Sequence, residues 1–268
     1  SYVMMNRNKL RGVVFTHGHE DHIGAVPYLL RQVSAPLYGT RLTLGLIANK
    51  LQEHGLRADA NLIVPGDKVE LGCFTVEFFK VNHSIAGAVG LIITTPVGVI
   101  VHTGDYKIDY TPIDGETTDL PRLAAAGKKG VLCLMSDSTN AERPGYVMSE
   151  KSVGAAFARY FREAQGRIIV ATFASNIHRI QQIVDEAQRM GRKICLVGRS
   201  LVNVCNTALA LGELTIPDGT LINLEHVRYY EDHEIIVVTT GSQGEPMSGL
   251  VRMAEDEHRQ IEIVPEDT

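Results

Sequence analysis

Gly12-Val13-Val14-Phe15-Thr16-His17-Gly18-His19-Glu20-Asp21-His22-Ile23-Gly24-Ala25-Val26-Pro27-Tyr28-Leu29-Leu30 sets six mostly polar residues, 17–22, between two apolar runs. A β-branched apolar run leads into its polar centre, and apolar residues at helix-like spacing lead out, so residues 17–22 lie on a strand-to-helix turn. Three imidazoles and a carboxylate on one turn can converge on a point, and they are the ligand types that borderline-soft divalent metals take. A chance cluster of surface histidines is the plainer reading. It would leave an unpaired His-Asp-His turn beside a buried strand, which is costly without a cation. His17 and His19, two apart on extended backbone, point the same way and can hold one ion, while Asp21 and His22 on the first helical turn can face a second. The His-Glu-x-x-His pattern of a single-zinc protease helix is absent.

The bulk properties set the frame. A chain of 268 residues, 44% hydrophobic and 21% charged, is that of a soluble globular protein of one or two domains. It has no apolar run of spanning length and no signal peptide. Cys73, Cys133, Cys195 and Cys205 are scattered through mostly apolar runs with no Cys-x-x-Cys pair, and read as buried, reduced thiols of a cytoplasmic protein. A net charge of −5 does not advertise a nucleic-acid surface. Two bound divalent ions would nonetheless place about four positive charges where a phosphate must sit. The chain reads as cut at both ends, starting without Met and ending on the strand-like run Ile261-Glu262-Ile263-Val264-Pro265.

Working outward, Ala35–Gly39 is a predicted strand, Thr40–His54 a helix, and Pro65-Gly66-Asp67 a turn. Strands are predicted at Thr75–Val81, Val89–Thr95 and Val97–His102, a meander. From Val131 strands alternate with helices: Val131–Met135, then helix to Gln165; Ile168–Thr172, then helix to Met190; Lys193–Val197, then helix to Leu211; Ile235–Val238, then helix to His258. That alternation indicates a parallel α/β sheet. The strand ends are rich in Ser, Thr, Asn and Gly and open onto helices, where backbone N–H groups favour an anion. The same residues are also what helix N-caps require. Thr240-Gly241-Ser242-Gln243-Gly244-Glu245-Pro246, with two glycines, is the best candidate for phosphate.

The motif His17-x-His19-x-Asp21-His22 resembles the signature of the metallo-β-lactamase superfamily in its dinuclear, phosphodiester-cleaving form. That resemblance implies a third histidine, matched by His83 at the end of a strand, and a bridging aspartate, matched by Asp105 in His102-Thr103-Gly104-Asp105. On local grounds alone His83 could be an ordinary loop histidine and Asp105 a turn residue. Such a half followed by a parallel α/β half looks like the β-CASP group of nucleases. Ser136-Asp137-Ser138-Thr139-Asn140, Ala174-Ser175-Asn176-x-His178-Arg179 and the Thr240–Pro246 loop resemble the bacterial ribonuclease J family. The expected architecture is α/β: a partial metallo-β-lactamase αββα fold over residues 1–147, without its N-terminal strands and C-terminal return, then an incomplete β-CASP domain over 148–268.

The resemblance implies two divalent ions, zinc or alternatively manganese, held by His17, His19, Asp21, His22, His83 and Asp105. Asp21 and Asp105 would be catalytic, orienting the attacking water, and Asp137, Ser138, Ser175, Asn176, His178, Ser242 and Gly244 would bind substrate. It implies endonucleolytic and 5′-to-3′ exonucleolytic hydrolysis of single-stranded RNA carrying a 5′-monophosphate, in the cytoplasm. No membrane partner is expected, and the full-length protein is expected to be a homodimer or tetramer. The segment that normally supplies a further histidine ligand is absent from these residues. The alternatives are a small-molecule hydrolase of the same superfamily, a non-catalytic RNA-binding fragment, and action on DNA.

Overall fold

The computed structural model describes residues 2–268, and the chain divides into two compact units, Ser1–Val147 and Met148–Thr268. The first unit begins with α1 (Tyr2–Met5), β1 (Val13–Val14), α2 (Glu20–Ile23), α3 (Val26–Leu30), β2 (Leu37–Gly39), α4 (Arg41–Glu53) and β3 (Ala60–Leu62). It continues with β4 (Lys68–Leu71), β5 (Phe74–Lys80), β6 (Val89–Thr95), β7 (Gly98–His102), α5 (Leu120–Lys129) and β8 (Cys133–Met135). β1, β2 and β3 form a parallel sheet, and β4 to β8 a second sheet in chain order, antiparallel except for the parallel β7–β8 pair. Val14 and Tyr38 of the first sheet pack on Val76, Phe78, Val89 and Leu91 of the second, so the two share a core. On the other face Phe79, Ile92 and Val101 pack with Leu123 and Ala126 of α5. Two sheets facing across one core hold the turn at residues 17–22 between them.

The apolar stretch 23–30, expected as one helix, is broken into α2 and α3. At the break the Gly24 N–H donates to Glu20 O at 2.7 Å, and a Cβ on Gly24 would press on Glu20. Pro27 fits because it falls in the first turn of α3, where its missing N–H costs nothing. β3, β4 and α5 lie outside the sequence-based expectations. β3 is three residues long, and α5 is a ten-residue helix with Pro121 in its first turn and Gly127 within it, so neither forms a long uninterrupted run in the sequence. Val131–Met135, read with the alternating strands although it lies within residues 1–147, supplies β8, which pairs with β7 in the first unit's sheet rather than with the parallel strands that follow. All of β8 is exposed, as an edge strand of that sheet.

The second unit contains α6 (Lys151–Glu163), β9 (Ile168–Ala171), α7 (Ile177–Arg189), β10 (Lys193–Val197), α8 (Arg199–Leu211), β11 (Leu221–Ile222), β12 (Ile235–Thr239) and α9 (Gly249–Ala254). Its strands run β11-β10-β12-β9, all parallel. Every side chain of β12 is buried, the pattern of a strand covered on both faces. Ile177, Ile180, Val184 and Ala187 of α7 supply one cover, at helical spacing; Met253 of α9 and Val227 contribute to the other.

Three further expectations are corrected. The last helix ends at Ala254 rather than His258, followed by Asp256 at a left-handed φ of 56°. Ile261–Pro265 is not a strand: Arg167 holds this end through paired bonds of 2.9 and 2.7 Å to the Asp267 carboxylate. Of the cysteines, Cys195 and Cys205 are buried, but Cys73 and Cys133 are exposed, because they sit on a hairpin turn and an edge strand.

Candidate metal centre

β1 ends shortly before His17, and its neighbour β2 anchors it: Phe15 N–H donates to Tyr38 O at 2.9 Å. Val89 N–H of β6 donates to Thr16 O at 2.9 Å, which ties the second sheet to the same turn. The turn is therefore clamped from both sheets. Within it the Thr16 hydroxyl lies 3.1 Å from His17 Nδ1, so Nε2 is the atom left facing inward.

The structure brings His17, His19, His83 and Asp105 together, with one ligand atom from each inside a mutual distance of 4.8 Å. His83 Nε2 is 3.0 Å from His19 Nδ1. The two Asp105 oxygens point to different neighbours: Oδ2 lies 3.8 Å from His17 Nε2 and 3.7 Å from His83 Nε2, while Oδ1 lies 3.5 Å from His22 Nε2. Asp21 stands outermost, its side chain 78% exposed and 3.5 Å from His22 Nε2. One carboxylate thus faces two sets of nitrogen donors, one through each oxygen.

A metal fits this constellation on two counts. His17 is wholly buried, and its Nε2 has no hydrogen-bond partner among the described residues, which is costly for a ring nitrogen left without a cation or donor. Burial, reinforced by neighbouring imidazoles, also keeps the rings unprotonated: His17 is pushed down to about 2, and His83 to about 4, chiefly by burial and then by His19. Burial lowers His19 as well, although Asp21 and Asp105 pull it back. Neutral imidazoles with free lone pairs are what a divalent ion requires.

This sets a pH dependence. In the unfolded chain histidine takes up its proton near 6.5, whereas His17 and His83 in the folded chain do not until far lower pH. The unfolded state therefore binds more protons below 6.5, and stability falls as pH falls from 6.5 toward 4. The loss expected for the metal-free chain is roughly 1 kcal/mol per pH unit for each of the two rings. Urea midpoints at pH 7.5, 6 and 5 measure it, and a flat profile would contradict the burial of neutral imidazoles.

Several supporting residues escaped the sequence reading. Asn82 Nδ2 donates to Glu116 O at 2.7 Å, Asn82 Oδ1 accepts from Thr118 N–H at 2.9 Å, and the Asn82 N–H donates to Thr118 Oγ1 at 3.0 Å. These bonds fix the backbone on which His83 sits. Asn82→Ala would strand the Thr118 N–H in the interior and is expected to cost about 1–3 kcal/mol. Denaturant unfolding reads that cost, and zinc affinity should fall with it as His83 loosens. On the other side His102 Nδ1 accepts from Gly104 N–H at 3.0 Å, and Gly104 adopts φ 59°, so that Asp105 is presented from a tight turn. Only the glycine could have signalled this, and a lone Gly-Asp pair is too common to do so.

Of the candidate substrate residues, Asp137 follows β8, and its N–H donates to Thr103 Oγ1 at 3.0 Å. Burial opposes its charge, but hydrogen bonds from Thr139 and Tyr106 and the nearby His83 hold it below the usual carboxylate range. Ser138 beside it is exposed. In the second unit Ser175, Asn176 and His178 lie where β9 gives way to α7, and Ser242 and Gly244 where β12 ends; these are adjacent strands. Asn176 is the N-cap of α7, accepting from Arg179 N–H at 3.2 Å. Arg179 in turn pairs with Glu150 at 2.8 and 3.1 Å. Gly244 sits at φ 69° in an exposed loop.

Residues 4–139 match the family model described as a beta-lactamase superfamily domain, and residues 165–268 match that of the ribonuclease J beta-CASP domain. Ribonuclease J of Helicobacter pylori (strain ATCC 700392 / 26695) is 47% identical over 270 residues, covering 100% of this chain and 39% of that protein. Ribonuclease J of Thermus thermophilus is 47% identical over 100% of this chain and 48% of its own length, and that of Synechocystis 48% identical over 100% of this chain and 42% of its own. The chain thus spans less than half the length of these curated relatives. Among solved structures, a protein of unknown function from Enterococcus faecalis V583 superposes with a TM-score of 0.63 at 17% identity, over 87% of this chain and 59% of that one, and shares the fold. Among the described residues no helix is long and apolar enough to cross a membrane.

Proposed function

Since the chain belongs to the beta-lactamase superfamily and carries a ribonuclease J beta-CASP domain, we propose that it is the core of a metal-dependent ribonuclease that hydrolyses RNA phosphodiester bonds. The observation that carries the reading is the convergence of His17, His19, His83 and Asp105, with His22 on the second oxygen of Asp105. His17, His19 and His83 would hold one divalent ion, Asp21 and His22 a second, and Asp105 both. Zinc is the proposed metal, on the preponderance of imidazole ligands, with manganese the alternative. When bound, the ions supply Lewis acidity toward the phosphate oxygens and make water acidic enough to attack near neutral pH.

The protein's own part is to place and neutralise. Asp105 and Asp21 accept hydrogen bonds from the attacking water and so orient it. Asp137, held ionised by Thr139, is the proposed substrate contact near His83, as a hydrogen-bond acceptor. Ser138 adds a hydroxyl donor beside it. In the second unit Ser175, Asn176, His178 and Ser242 are the proposed contacts to the RNA backbone, with Gly244 allowing close approach. The proposed substrate is single-stranded RNA with a 5′-monophosphate, cut both internally and from the 5′ end in RNA processing. The proposed division of labour follows residues 1–147 for the metals and 148–268 for the strand, in the cytoplasm, with a homodimer or tetramer for the full-length protein.

The test is cleavage of matched 5′-monophosphorylated RNA and DNA strands. RNA hydrolysis that is lost with a chelator and restored by zinc or manganese is the expected result. Binding of RNA without cleavage at any metal concentration would sink the catalytic reading for this chain.

A further inference from the structure

We infer that the second unit carries a separate site for a phosphate-bearing ligand, in a cavity of about 460 Å³ at the amino ends of its parallel strands, built around Arg192 and Arg162. This goes beyond the proposed ribonuclease reading, whose backbone contacts lie at the carboxyl ends of the same sheet. Arg192 leads into β10 and His233 into β12, while Ala164 and Gln165 precede β9, so the cavity opens at the other end. Its volume falls in the range of small-ligand sites, about 300–1,000 Å³.

Arg192 is the reason to expect an anion there. The residue is only 8% exposed. Its guanidinium donates to Gly166 O and to Ala164 O, each at 2.8 Å, and among the described residues it makes no other hydrogen bond and no ion pair. Buried arginines are normally paired with a carboxylate, because an uncompensated charge in the interior is expensive. A structural account of Arg192 is that it caps the carboxyl end of α6, where Ala164 is the C-cap. The helix dipole there offsets only about half a unit charge. Burial accordingly pulls Arg192 below its ordinary value.

Arg162, Gln165 and His233 bring further N–H donors to the cavity, Phe161 and Met190 supply apolar surface, and no carboxylate lines it among the described residues. Two guanidiniums with amide and imidazole donors are a recognition set for phosphate oxygens. The apolar wall and the volume admit a group the size of a nucleotide, attached either as a free nucleoside monophosphate or as part of an RNA strand.

Calorimetric titrations of the metal-free chain with inorganic phosphate, with AMP and with a short RNA test this. Single-site phosphate binding is expected, weakened at least tenfold by Arg162→Ala and by Arg192→Met, and retained in a Ser175→Ala/Ser242→Ala variant. Arg162 is exposed and its side chain makes no hydrogen bond or ion pair among the described residues, so its variant decides the matter even if Arg192→Met fails to fold. AMP binding more tightly than RNA would identify a nucleotide site, and RNA binding more tightly, with the same loss in Arg162→Ala, a strand-binding site; either supports the inference. No phosphate binding in wild type, or binding unchanged in Arg162→Ala, would overturn it.

Discussion

Replacing His17 with alanine is expected to lower RNA cleavage by at least about 10³-fold, some 4 kcal/mol of transition-state stabilisation. The fold should survive. Among the described residues His17 makes one hydrogen bond, to Thr16, and its inner nitrogen has no partner, so truncation removes a buried polar atom along with some packing. Metal stabilises the folded chain by RT ln(1 + [M]/Kd), and that increment vanishes when the ligand is lost. Thermal melts with and without zinc should therefore differ for wild type and coincide for His17→Ala, while the two metal-free proteins melt within a few degrees. A variant that keeps a zinc-induced shift of wild-type size would remove His17 from the ligand set. One that unfolds without metal would mean the ring is structural.

The second large effect is on stability, at Gly90. Gly90 in β6 is paired across from Phe79 in β5, and the Phe79 ring lies over it, so that a Cβ on Gly90 would land within the ring. Phe79 is fully buried among Val81, Ala88, Ile92, Val101 and Ala126 and has nowhere to retreat. Gly90→Ala is expected to cost about 3 kcal/mol, the upper part of the range for overpacking. Because Val89 N–H holds Thr16 O, the strain should reach the metal turn and weaken zinc binding too. Phe79→Leu would itself lose packing, but combined with Gly90→Ala it should recover about 1 kcal/mol or more in a double-mutant cycle measured by urea unfolding. Additive losses would mean that the ring and the glycine do not compete for space.

The sequence disclosed the centre more fully than the fold around it. His17 through His22 could be read because their chemistry is crowded into one turn, and the order of the remaining matches then singled out His83 and Asp105. The second unit was legible because strands such as Ile235–Thr239 are buried on both faces and α7 carries a clean apolar stripe. α5 was not, since Pro121 and Gly127 interrupt a helix of only ten residues. β8 was misplaced because an apolar run does not say which sheet it joins; its pairing with β7 is decided by contacts distant in the chain. The same holds for Asn82 and Thr118, whose mutual bonds span 36 residues. Arg192 looks like any surface cation in the sequence, and only burial without a counter-ion sets it apart.

Metal content of the purified chain, measured by elemental analysis for wild type beside His19→Ala, reads the proposed pair of divalent ions without an activity assay. About two zinc or manganese ions per wild-type chain and a clear fall in the variant are expected. One ion or fewer per wild-type chain after equilibration with excess zinc, or content unaltered by His19→Ala, would refute the proposed pair.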